Sequence, residues 1–400
     1  MHASIDRRSL LRAAGSLGAL SLLGAPARAA RDDDAPARTL VLLQLAGGND
    51  GLSTVVPYSD DGYQRARTTT RIPTGEVLRL DDYRGLHPAL QNLRAAWGRG
   101  ELAVIEGVGY PQPNRSHFKS FEIWHTAKLE GRAAGEGWIG RACGVRHGRE
   151  RAANRVVHLG AQAPWSVRST AHPPACFSVP AGYRWLGGGS AVAGLGSEPA
   201  EGAGSSPLDA IRARVRDAER SSLDVRRAAQ RYRTPIEYPA DNALAERLRV
   251  AAALIEGGIG VEVISVELDG FDTHNAQRGR HDALMATLDA ALGPFLDDLS
   301  RSAAGRQTVV AAFSEFGRRV AENGSQGTDH GQAGPLFVMG EAVRGGLYGE
   351  HPALDALVEG DLAHAVDFRS VYATLLRDVM RVDAERVLDA AYPTLPLFEA

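Results

Sequence analysis

Residues 39–52 read TLVLLQLAGGNDGL, and this stretch decides the fold. Eight residues run almost unbroken in apolar character and stop at the pair Gly47-Gly48. A strand with one wet face would alternate apolar and polar residues. An unbroken run is the pattern of a strand covered on both faces, as in a parallel sheet flanked by helices. Such a strand delivers a loop at its carboxyl end, and here the loop carries Asn49 and Asp50.

The same alternation extends along the chain. A helix is expected over His87 to Arg99, then a strand at ELAVIEGV (101–108). The loop YPQPNRS (110–116) leads into a second helix, His117 to about Lys128. VEVISVEL (261–268) is a strand ending at Asp269, followed by an amphipathic helix over Arg280 to Arg301. QTVVAAFSEFG (307–317) and PLFVMG (335–340) are further strands, and VYATLLRDVM (371–380) closes the chain as a helix. This order predicts an α/β fold: a doubly wound, mostly parallel sheet flanked by helices, in one domain spanning 39–398. Between its halves, Gly187 to Pro207 is rich in Gly, Ala and Ser and reads as a linker. Polar helices at 208–232 and 242–256 follow it, so 187–256 is expected to be a linker with a helical insertion or lid.

Residues 1–29 have the form of a twin-arginine export signal. Arg7 and Arg8 precede the apolar run 13–25, and Ala27-Arg28-Ala29 ends it as a cleavage site. The expected partner is the twin-arginine export machinery, and the expected location periplasmic or secreted. That apolar run is short and rich in Gly and Ala, and no other stretch reaches membrane-spanning length, so no stable membrane span is expected. Among 400 residues there are 12 His and only 2 Cys. That count excludes a disulfide framework, a cysteine-rich zinc ribbon and a multi-cluster iron–sulfur protein. Cys143 and Cys176 would meet an oxidising compartment, where pairing is open. The net charge of −3 becomes −6 once residues 1–29 are removed, which argues against nucleic acid as a partner.

In open parallel sheets, ligands bind outside the carboxyl ends of the strands. Asp50 follows the first strand; Asp269, Asp272 and His274 follow VEVISVEL; Ser314 and Glu315 follow QTVVAAF; Asp329 and His330 precede PLFVMG. Asn114, Ser116 and His117 lie at a helix start. Each has a plain structural reading: Asp50 as a turn or cap residue, a lone histidine as a hydrogen-bonded core group, Ser116 as an N-cap. Together, carboxylates and imidazoles at several parallel strand ends converge, which is how divalent ions are held. A hydroxyl at a helix start beside such ions is an activated nucleophile facing an anion-friendly dipole.

The stretches LVLLQLAGGNDGLSTVVPY, YPQPNRSHFKSFEIWHTA, GFDTHNAQRGRHDAL, SEFGRR and GTDHGQAGPLFVMG together resemble the exported bacterial family known as domain of unknown function 1501. More distantly they resemble the alkaline phosphatase and sulfatase superfamily. That resemblance implies an alkaline-phosphatase-like fold, a metal-binding Asp50 after the first strand and Ser116 as nucleophile. It implies Asp272, His274 and His330 as metal ligands, with Ser314-Glu315 in place of the usual Asp-His pair. Glu315 would then be a ligand, and Asn114, Arg115 and His117 would orient an anionic ester. Implied with these are one or two divalent metal ions, zinc first, with Mn, Mg or Ca as alternatives. The function expected is an exported metal-dependent hydrolase or transferase of phosphate or sulfate esters. The alternative is a non-catalytic metal-binding or partner-binding protein retaining the fold.

Overall fold

The computed structural model describes residues 38–130, 135–184, 207–351 and 353–399. The export signal expected at 1–29 and residues 187–206 of the expected linker lie outside them. The first strand, β1, is Thr39–Ala46. A short turn of helix, α1 (Gly51–Thr54), follows its loop. Then comes a small antiparallel sheet of β2 (Val55–Val56), β3 (Leu78–Arg79) and β4 (Gly85–Leu86), with α2 (Asp61–Ala66) between β2 and β3. Next are α3 (Gln91–Arg99), β5 (Leu102–Gly109), α4 (His117–Thr126), α5 (Trp138–His147), β6 (Val156–Leu159) and β7 (Ala175–Phe177). The middle of the chain gives α6 (Pro207–Arg231), α7 (Ala243–Glu256), β8 (Val263–Asp269) and α8 (Gln277–Leu299). A turn of helix α9 (Ala303–Arg306) precedes β9 (Thr308–Phe313) and β10 (Gly334–Met339). Short strands β11 (Gly346–Tyr348) and β12 (Val366–Asp367), then α10 (Phe368–Asp378) and α11 (Ala384–Leu388), complete it.

The large sheet runs β11-β5-β10-β9-β1-β8-β6-β7, with β12 also on β5. β1 lies between β8 and β9 and is parallel to both, with Leu42 opposite Ser265 on one side and Ala311 on the other. β10 alone runs against its neighbours β9 and β5. The expected mostly parallel sheet flanked by helices is therefore what the chain builds. Its central strand alternates between two cores, Val41, Leu43 and Leu45 facing one and Leu40 and Leu42 the other. Two covered faces explain why the run carries no polar alternation. Helices α3, α7 and α8 cover the first face through residues such as Leu93, Leu248 and Leu288. Helices α4, α5 and α10 cover the second through Trp124, Trp138 and Tyr372; Tyr372 stacks on Trp138 and meets Trp124 edge to face.

The polar look of 242–256 is misleading. α7 buries Leu244, Leu248, Ala252 and Ile255 against β8 and α8, so it is a layer of the domain and no lid. Its Asn242 cap accepts from the N–H groups of Leu244 and Ala245, which fixes where it starts. Cys143 and Cys176 are both unpaired: Cys143 is buried in α5, and the Cys176 thiol donates to Gly160 O. No helix among the described residues is long and apolar enough to cross a membrane.

Candidate metal centre

The sheet order places the candidate residues at one edge. β1, β8 and β9 are parallel neighbours, so their carboxyl ends deliver Gly47–Asp50, Asp269–His274 and Ser314–Glu315 side by side. β10 is antiparallel, so the segment before it, with Asp329 and His330, lies at the same edge. β5 shares the direction of β1 and leads through its loop to Ser116 and His117 at the start of α4. Two glycines allow the loops to meet. Gly47 has φ +113°, and a Cβ there would lie 2.5 Å from the Asp272 nitrogen. A Cβ on Gly327 would lie 2.3 Å from the carbonyl of His274.

His117, Asp272 and His330 bring one donor atom each to within 4.8 Å of one another. The His274 Nε2 lies 2.9 Å from the His330 Nε2 and 3.0 Å from Asp272 Oδ1. His330 Nε2 is 3.1 Å and His117 Nε2 3.5 Å from that same oxygen. Three imidazole nitrogens thus surround one carboxylate oxygen. Tetrahedral ligands about 2.0–2.1 Å from a zinc ion would sit about 3.3 Å apart, and these four spacings bracket that value; the set with every donor within 4.8 Å of the others is His117, Asp272 and His330, which His274 adjoins through His330 and Asp272.

The far side of each imidazole has an oxygen that sets its tautomer. His117 Nδ1 is 2.7 Å from Glu315 Oε1, His330 Nδ1 2.7 Å from the Arg115 carbonyl, and His274 Nδ1 3.2 Å from Asp329 Oδ1. Acceptors at all three Nδ1 positions place the proton there and leave Nε2 as a lone pair. The Nε2 atoms of His274 and His330 then face each other, and all three Nε2 atoms face Asp272 Oδ1. His117 Nε2 is buried with no hydrogen-bond partner at all. A divalent cation is the group that satisfies this set, and three imidazoles with one carboxylate suit zinc and its transition-metal neighbours better than Mg or Ca.

Electrostatics follow the same contacts. Burial pushes the Asp272 carboxyl up, but the Arg318 hydrogen bond and the histidines outweigh it and hold it at about 2. The Glu315 hydrogen bond raises His117, whereas burial lowers His330. Asp272 and His274 keep an open side to solvent, so a bound ion could accept a further ligand.

The expected residues divide accordingly. Asp272, His274 and His330 lie together. His117, expected to orient substrate, stands among the donors instead. Glu315 is wholly buried; its Oε1 accepts from the Gly47 N–H as well as facing His117, and its Oε2 accepts from Ser314 Oγ. It orients a ligand rather than facing the other donors. Asp50 is elsewhere: its carboxylate forms a two-pronged ion pair with the buried Arg67, at 2.6 and 3.0 Å, and also accepts from Ser53 and Gln277. Burial opposes its charge, but Arg67 outweighs burial and holds the carboxyl far below the usual range. Ser116 is the N-cap of α4, yet its side chain makes no capping hydrogen bond, and it is exposed beside His117. Asn114 Oδ1 accepts from the Ser116 N–H, and the Arg115 guanidinium pairs with buried Asp361 and with Glu359.

Two residues at the centre had been given no individual role. Asp329 orients His274, and its position next to His330 in the Asp-His pair was the available signal. Arg318 donates to Asp272 Oδ1 at 2.7 Å and to the carbonyls of Gly47, Gly48, Phe271 and Thr328. Nothing in the pair Arg318-Arg319 distinguishes a buried guanidinium from an exposed one. A separate cleft of about 820 Å³ between α6 and α7 shares no residue with this centre.

Among solved structures, the chain is similar to a protein in the alkaline phosphatase superfamily from Vibrio parahaemolyticus (TM-score 0.36, 10% identity, 78% of this chain and 62% of that one). It is similar to the C-terminal periplasmic domain of EcEptC from Escherichia coli in complex with Zn (TM-score 0.37, 11% identity, 77% and 74%). It is also similar to the PsFucS1 sulfatase from Pseudoalteromonas sp. (TM-score 0.38, 10% identity, 90% and 71%). The chain thus spans 62% of the length of the first of these. No curated protein matches the sequence. Residues 95–391 match the family described as "Protein of unknown function (DUF1501)", and the chain belongs to that family.

Proposed function

We propose that the chain is an exported metal-dependent hydrolase or transferase of phosphate or sulfate esters, with Ser116 as nucleophile. In this reading the Nε2 atoms of His117, His274 and His330 and Oδ1 of Asp272 hold a divalent ion, with zinc the best fit to the donors. The observation that carries it is the adjacency of two features. His117, Asp272 and His330 bring donors within 4.8 Å of one another, His274 adjoins two of them, and Ser116, exposed and without a capping hydrogen bond, directly precedes His117 at the start of a ten-residue helix.

A bound divalent ion supplies Lewis acidity and favours the ionised form of a nearby hydroxyl. The chain's own groups do the rest. Asn114 Oδ1 accepts from the Ser116 N–H and so holds the backbone at the helix start. Ser116 stands at the N-terminus of α4, where the helix dipole favours the negative charge of an ester's non-bridging oxygens. Asp361 ties the Arg115 guanidinium, so that the Arg115 carbonyl meets His330. Attack of Ser116 Oγ on phosphorus or sulfur forms the new P–O or S–O bond, and the alcohol leaves with the electrons of the broken ester bond. Water or a second alcohol then releases the group from Ser116. Replacing Ser116→Ala is expected to abolish turnover of aryl phosphate and sulfate esters in protein that stays folded and metal-loaded. Failure of the metal-loaded wild type on every ester class would overturn the reading. Export by the twin-arginine route, resting on residues 1–29, belongs to the same proposal.

A further inference from the structure

Two arginines, Arg67 and Arg318, have side chains with no exposure, and both sit where the strand-end acids converge. A buried guanidinium is tolerated only when its charge and its donors are matched. Arg67 is matched by Asp50 and by the carbonyls of Arg319 and Val320. Arg318 is matched by Asp272 Oδ1 and four carbonyls drawn from three loops. Asp50 after β1 and Asp272 after β8 therefore each already have a fixed cation, whereas the exposed Asp269 accepts from the Gly270 N–H. Glu315, delivered by β9, is taken by the Gly47 N–H, His117 and Ser314.

We infer that Arg67 and Arg318 stand in place of a second metal ion, so that the centre takes one divalent ion per chain. The inference rests on the metal reading proposed above and sharpens it. Before an ion arrives, Arg318 offsets the Asp272 carboxylate, while the Glu315 and Asp329 carboxylates stand against His117 and His274. With neutral imidazoles those two carboxylates are the uncompensated charge, and one divalent ion cancels it. A second divalent ion would add positive charge with nothing left to cancel it, repelled by the first ion and by the two fixed guanidinium groups.

The test is the number of zinc ions that chelator-stripped wild-type protein retains after saturation and removal of excess, counted by native mass spectrometry and by elemental analysis. One ion per chain is expected. Two ions held with comparable affinity would overturn this inference and leave the metal centre standing. No retained ion would overturn the metal centre and this inference with it. Asp50→Asn, which removes the partner of Arg67 but no donor of the single ion, is expected to keep an occupancy of one. A fall in occupancy on that change would show Asp50 to be a ligand and overturn the inference. The wild-type count decides the matter even where that variant folds poorly.

Discussion

Asp50→Asn separates two roles for one residue. Asp50 and Arg67 are both wholly buried, and two hydrogen bonds of 2.6 and 3.0 Å join them. Changing the carboxylate to an amide leaves the Arg67 charge in place with only two carbonyls for company. Unit charges about 4 Å apart at an effective dielectric near 20 attract by about 4 kcal/mol. Breaking a buried pair from one side costs about 3–5 kcal/mol, because the other charge stays behind uncompensated. For a chain of this length, about 4 kcal/mol lowers the melting temperature by about 5 °C. The assay is thermal and urea unfolding of metal-stripped protein at pH 7, paired with a zinc titration of the same sample. The expected result is a large loss of stability and unchanged zinc affinity. The pair also gives a sign to the acid limb. The Asp50 carboxyl is depressed in the folded state, so its contribution is present above the unfolded value and is lost as pH falls below it. Unchanged stability together with lost zinc binding would refute the argument and make Asp50 a ligand.

Glu315→Gln leaves all four donors in place but weakens the acceptor that sets the His117 tautomer, so zinc affinity should fall about 10–100-fold with occupancy still attainable; isothermal titration checks it. Gly47→Ala puts a Cβ against the Asp272 backbone at a left-handed position and should displace Asp272, weakening zinc binding more than it lowers the melting temperature. His125, His158 and His281 are buried, and burial lowers each to about 4. The unfolded chain binds their protons first, so stability should fall as pH drops from about 6.5 toward 4, by about 2–3 kcal/mol for each group fully titrated. Denaturant midpoints measured across that range check the sign, and a flat profile contradicts it.

The parts of this account visible in the sequence are those set by local pattern. β1 ends at Ala46 as its apolar run ends, β8 and β10 fall within two residues of their expected bounds, and β9 stops at Phe313, four residues short of its expected end at Gly317. The helix expected from His87 begins only at Gln91, because His87 instead accepts from the Ala89 N–H and pairs with Asp282. Long-range pairing is where local pattern fails. Asp50 reads as a metal ligand until Arg67, seventeen positions on, is seen to reach it. His117 reads as a substrate contact because Ser116 precedes it, and only the turn of α4 aims its ring at Asp272. The direction of β10 decides that His330 joins the edge at all, and no residue in PLFVMG encodes that direction.

The most direct test of the central claim is a crystal structure of zinc-loaded protein with anomalous data at the metal edge. One peak is expected, bonded to the Nε2 atoms of His117, His274 and His330 and to Oδ1 of Asp272, with Asp50 still on Arg67 and Glu315 still on His117. A peak bonded to Asp50 or Glu315, or no ordered ion at these four donors, would contradict it.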